Sequence, residues 1–227
     1  MSYSAPAHSA LIIVDVQNDF CPGGNLEVPD GDSIIALIND LKQDFKHCIL
    51  TQDWHPKDHE SFASNHQNAQ PFTTTQMPYG TQILWPDHCI QNTKGAAFHK
   101  NLNIDNKDLI LQKGTNPKID SYSGFFENDN TTQPLFNDGK TLAQTLKERG
   151  ITHTIFCGLA YDFCVGWHAL DAKEKGFKAT IIKNATRAIA MPLENATNSE
   201  QAMTAQLKQA NVQIIKADTI KQLRQYL

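Results

Sequence analysis

The sequence holds no apolar run approaching the roughly 20 residues that span a bilayer, so no segment reads as a membrane helix. It has no basic excess either. Lys and Arg total 20 against 24 Asp and Glu, a formal net charge of −4. Neutralising a phosphate backbone needs a basic patch, which excludes nucleic acid as an expected partner. No GxGxxG follows the first apolar run and no GxxxxGK[ST] occurs, so neither common phosphate-cradling fingerprint is present. The first ten residues, MSYSAPAHSA, lack the basic and apolar regions of a secretory signal. Cysteines are few and odd in number, five in 227 residues. Without a signal they read as reduced thiols in a cytoplasmic protein.

Hydrophobic residues make up 40% of the chain, enough to build a core without disulfide staples. The expectation is a single domain over 1–227. Short apolar runs alternate with amphipathic stretches. ALIIVDV (10–16), CILT (48–51), DLILQK (108–113), HTIFCGL (153–159), KATIIK (178–183) and VQII (212–215) read as strands. Their continuous apolar character suits strands covered on both faces. Helical spacing marks 34–45, with Asp30 or Asp32 available as a cap, and 139–150, 161–176, 199–211 and 218–227. This alternation predicts an α/β fold: a single six-stranded parallel sheet flanked by helices on both faces, Rossmann-like in architecture. Residues 53–107 stand apart as a long segment without helical period. They hold Trp54, Phe62, Phe72 and Trp85 and five of the nine histidines. A long loop of this kind inside a compact domain points to function.

Ligands of open parallel sheets bind beyond the carboxyl ends of the strands. Asp15 closes the first strand, Asp53 follows the second, Lys113 closes the third, and Cys164 lies just after the fourth. A cysteine near a helix start and a lysine is expected to ionise readily, and a nearby carboxylate can move its proton. A small buried hydrophobe is the plain alternative for Cys164 taken alone. His168, one helical turn on, offers a rival Cys–His pair. Asp53 and His55 point to the same side of an extended segment, which makes two metal ligands. A third would come from His59, His66, His88 or His99. Such a set suits Zn²⁺, Fe²⁺ or Mn²⁺, against the alternative of unrelated loop histidines.

The ordered motifs LIIVDVQNDF, QDWHPxxHxSFAxxH, WPDHCIQNTxGAxFH, a QKG lysine and GLAxDxCV resemble those of the nicotinamidases (pyrazinamidases) of the isochorismatase-like cysteine hydrolase superfamily. The resemblance runs from about residue 10 to 216. It implies Asp15, Lys113 and Cys164 as the catalytic triad and an oxyanion hole from the backbone of Ala160 and Cys164. It implies Asp53, His55 and His88 as ligands of one divalent metal ion, zinc, iron or manganese. Phe20, Leu26, Trp85 and Tyr122 would then wall a slot for a flat heteroaromatic amide, with His59 and His66 left outside the ligand set. The implied activity converts nicotinamide to nicotinic acid and ammonia, and pyrazinamide likewise, in NAD salvage. Partners would be small molecules, with a homo-oligomer left open. One departure is Tyr161, where the family usually has Thr beside an expected cis Leu159–Ala160 bond.

Overall fold

In the computed structural model, which describes residues 5–193 and 198–227, the run SALIIV forms strand β1 (Ser9–Val14), buried at every position. Its side chains alternate between two cores, as the two-residue period of a strand requires. Leu11 and Ile13 join one hydrophobic cluster, Ala10, Ile12 and Val14 the other. Five further strands lie parallel to it: β2 (Cys48–Asp53), β5 (Leu109–Lys113), β6 (His153–Leu159), β7 (Lys178–Arg187) and β8 (Gln213–Ile215), in the spatial order β5-β2-β1-β6-β7-β8. Helices α1 (Ile35–Lys42) and α5 (Ile220–Leu223) cover one face, and α2 (Leu142–Glu148), α3 (Gly166–Glu174) and α4 (Ser199–Gln209) the other. The expected six-stranded parallel sheet with helices on both faces is therefore present. Among the described residues no helix is long and apolar enough to cross a membrane.

Several local expectations shift. The 53–107 segment carries an antiparallel hairpin, β3 (Thr74–Met77) and β4 (Gly80–Ile83), which its polar alternation TTQM and GTQI hid from a hydrophobic reading. α1 begins after a 3-10 turn at Gly31–Ile34, and neither Asp30 nor Asp32 caps it. Asp30 is left-handed (φ 54°), without a side-chain cap bond. α2 starts at Leu142 because Thr141 and Gln144 form a reciprocal capping box. The expected 161–176 helix divides into a π-helical turn, Tyr161–Val165, and α3.

The chain moves outward from β1 to β2 and β5, then crosses to β6 on β1's other side. The crevice between the carboxyl ends of β1 and β6 is the topological switch point. Close approach there requires Gly158, at φ +109°, since a Cβ would stand 2.1 Å from the Val14 carbonyl oxygen.

Candidate active site

Strand register builds the site. Asp53 and Lys113 are partners across β2 and β5, and Asp15 follows β1 directly, left-handed at φ 47°. Cys164 comes from the π-helical turn after β6. All four side chains are buried. The Lys113 ammonium, fully enclosed, lies 2.9 Å from Asp15 Oδ2 and donates to Asp53 Oδ1, to the Ser121 carbonyl at 2.8 Å and to Cys164 Sγ at 3.5 Å. Thr51 Oγ1 donates to the other Asp15 oxygen at 2.7 Å. A buried ammonium is tolerable here because two carboxylates and a carbonyl replace its water.

Burial pushes the Asp15 carboxyl up to about 6, against the opposing pull of Lys113. Burial also pushes the Cys164 thiol well above its usual value, with Lys113 opposing and Asp15 and Asp53 adding to the rise. The expectation of a readily ionised thiol is therefore corrected: the resting group is a thiol beside a carboxylate able to take its proton. The Cys–His alternative is set aside by geometry. His168 Nδ1–H donates to the Cys164 carbonyl at 2.7 Å, and Gly124 N–H donates to Nε2 at 2.8 Å. Both ring nitrogens face backbone, and burial drives the imidazole down to about 3.

Asp53, His55 and His88 place one ligand atom each within 4.8 Å of one another. His55 Nδ1 faces the Gly114 carbonyl at 2.9 Å and His88 Nδ1 the Pro86 carbonyl at 2.7 Å. A carbonyl only accepts, so each Nδ1 carries the hydrogen, and each ring in its neutral form turns an Nε2 lone pair toward Asp53, at 3.6 and 3.9 Å. Burial pulls the His55 imidazole down, but Asp53 outweighs it and holds the ring above its usual value as long as no ion competes for Nε2. His55 Nε2 is buried with no hydrogen-bond partner. Burial favours a neutral Asp53, but Lys113 and His55 outweigh it and hold the carboxyl below the usual range. Burial and the neighbouring His55 lower His88 to about 4. A buried carboxylate and two oriented imidazole nitrogens fit a divalent metal ion.

His55, His59 and Asp120 form a neighbouring cluster. His59 differs from the other two rings. Ser61 N–H donates to its Nδ1 at 3.2 Å, so Nε2 carries the hydrogen rather than a lone pair, and it is buried with no hydrogen-bond partner. His66 is bound through Nε2 to the Glu60 carbonyl at 2.6 Å, outside both clusters. The Asp53 and His88 side chains open on the same cavity as Cys164 and Ala160. Phe20, Leu26, Trp85 and Tyr122 all line it. The Leu159–Ala160 bond is cis. Tyr161 is buried, with its hydroxyl 2.7 Å from Thr204 Oγ1 and its ring under the Lys183 ammonium at 3.6 Å.

The model of the isochorismatase domain family matches residues 9–219. The chain belongs to that family. It is 50% identical over 182 residues to the nicotinamidase of Acinetobacter baylyi, spanning 80% of this chain and 82% of the relative. It is similar in structure to the Acinetobacter baumanii nicotinamidase pyrazinamidease, with a TM-score of 0.85, 47% identity, and coverage of 93% of this chain and 97% of that one. The pyrazinamidase of Pyrococcus horikoshii in complex with zinc matches with a TM-score of 0.71 and 32% identity, over 92% and 99% of the two chains.

Three lining residues of this isochorismatase-family cavity escaped the sequence reading: Asp120, Phe163 and Ile189. Phe163 stands edge-on to Trp85 with ring centroids 5.0 Å apart. Its position next to Cys164 was the available signal. Asp120 and Ile189 lie in segments without periodicity, and only the folded chain brings them to the cavity.

Proposed function

We propose that the chain is a metal-dependent nicotinamidase, hydrolysing nicotinamide to nicotinic acid and ammonia and pyrazinamide to pyrazinoic acid. The observation that carries the reading is the sharing of one cavity. The buried Asp15–Lys113–Cys164 group and the Asp53–His55–His88 set meet at Lys113 and open on the same aromatic slot. The nicotinamidase relatives support the substrate class.

In this mechanism Cys164 Sγ attacks the carboxamide carbon as Asp15 takes the thiol proton. The carbonyl electron pair moves onto oxygen, held by the backbone N–H groups of Ala160 and Cys164. Asp15 returns the proton to nitrogen, the C–N bond breaks, ammonia leaves and a thioester remains. Asp15 then draws a proton from water as its oxygen attacks the thioester. The C–S bond breaks, the acid departs and Cys164 regains its proton. Lys113 keeps Asp15 ionised between these transfers. Phe20, Leu26, Trp85 and Tyr122 hold the flat ring. A divalent ion on Asp53, His55 and His88 (zinc, iron or manganese) supplies a Lewis-acid anchor for the ring nitrogen. The reading places a single-domain enzyme in cytoplasmic NAD salvage. The test is ammonia release from both amides by metal-loaded protein. No release from nicotinamide would overturn it.

A further inference from the structure

A second cavity, of about 190 Å³, lies beside the β3–β4 hairpin, the 122–130 segment and α3. Tyr79, Tyr122, Phe126 and Trp167 supply its aromatic surface. Among the described residues the charged side chains in its lining are both acidic, Glu127 and Asp171. Both residues are more than nine-tenths buried, at 5% and 8% exposure. Glu127 Oε2 has no hydrogen-bond partner, an arrangement that loses free energy unless a donor or cation meets it. The Phe126 ring already attracts positive charge. The Lys175 ammonium stands 3.8 Å from its centroid.

We propose that this cavity binds a small organic cation, a quaternary ammonium or alkylpyridinium, with its charge toward Glu127 and Asp171 and its carbon surface against Trp167 and Phe126. Aromatic faces with nearby carboxylates recognise weakly hydrated cations of this kind. An anion would meet two carboxyls. A neutral ring would leave Glu127 Oε2 unmatched, and a strongly hydrated metal ion would find too few oxygens on aromatic walls. Tyr122 is the one residue common to this lining and that of the candidate active site, so an occupant touches the wall of the substrate slot from outside.

Protonation adds a signature. Burial raises Glu127 to about 7, with Asp129 and Asp120 adding and Asn116 opposing. Burial raises Asp171 to about 7, with Glu174 adding and Ser123 and Lys175 opposing. A bound cation displaces those protons, so affinity rises from pH 6 to pH 8.

The experiment is calorimetric titration of the metal-loaded full chain with choline and with its uncharged isostere 3,3-dimethylbutanol. Choline is expected to bind once per chain, and the isostere about tenfold more weakly or worse. Trp167→Ala and Asp171→Asn should each weaken choline severalfold while ammonia release stays at the wild-type rate. Absence of choline binding, equal binding of the two probes, or indifference of choline to both substitutions overturns the proposal. So does binding of calcium without choline, which would make the carboxyls an inorganic-cation site.

Discussion

The Gln17 side chain and the Asp53 peptide exchange two hydrogen bonds: Gln17 Nε2 donates to the Asp53 carbonyl at 2.8 Å, and Asp53 N–H donates to Gln17 Oε1 at 2.8 Å. Gln17 Nε2 also donates to the Ala96 carbonyl at 2.9 Å. One fully buried carboxamide thus ties the end of β1 to the residue whose carboxylate faces Lys113 and the histidines. Gln17→Met keeps the volume and removes both bonds to the buried Asp53 peptide, while the Ala96 carbonyl keeps its bond from Gln52 Nε2 at 2.9 Å, at a cost of about 2 kcal/mol or more. Denaturant unfolding should show that loss, and metal affinity should fall with it. Unchanged stability and affinity would mean the clamp is dispensable.

Cys164→Ala should retain fold and metal content but lose more than about a thousandfold in ammonia release, since the covalent route disappears. All five cysteines are buried. Cys21→Ala, Cys48→Ala and Cys157→Ala, away from the cavity lining, should each keep most activity. Turnover by Cys164→Ala within about tenfold of wild type would exclude the thioester route.

Metal removal separates anchoring from nucleophilic chemistry. His88→Ala should lose the ion and nicotinamide turnover, yet remain folded by circular dichroism, because the two cores lie around the sheet. Its Cys164 should still be alkylated by iodoacetamide. Benzamide, which lacks the ring nitrogen, should be a poor substrate whose turnover depends little on metal. If metal removal slows nicotinamide and benzamide equally, the ion does not act by holding the ring.

His168 makes stability pH-dependent with a defined sign. Burial lowers its folded pKa to about 3, while the unfolded imidazole titrates near 6.5. The unfolded state therefore binds the proton first. This contribution is complete above about pH 6.5 and is lost as pH falls toward 3, at up to about 1.4 kcal/mol per pH unit. Denaturation midpoints between pH 7 and pH 5 should show a shallower slope in His168→Gln than in wild type. Equal slopes would mean the ring titrates in the fold as it does in the unfolded chain.

The sheet was legible in the sequence because buried parallel strands leave continuous apolar runs, as in ALIIV and TIFC. Asp15, Lys113 and Cys164 were legible as candidates because they follow such runs, and strand ends converge. The candidate metal trio was only half legible. Asp53 and His55 share one exit, but choosing His88 over His59, His66 and His99 from the residues alone needed knowledge of which ring turns its Nε2 inward. That depends on the Pro86 carbonyl and the Ser61 amide, contacts no spacing rule expresses. The thiol's state was misread because sequence shows the neighbouring lysine but not the depth of burial or the pair of carboxylates.

The pairing of Asp53 with Lys113 across β2 and β5 has a bearing on insertions and deletions. The residues between them form loops and a hairpin, and loop closure grows only slowly with length. Additions at the exposed hairpin tip around Pro78 should therefore be absorbed. A one-residue insertion within β5 is different. It would turn Lys113 to the opposite side of the sheet, taking the shared ammonium away from Asp15, Asp53 and Cys164 together. The reading frame of one short strand, rather than the length of the chain between, keeps the two halves of the site in electrical contact.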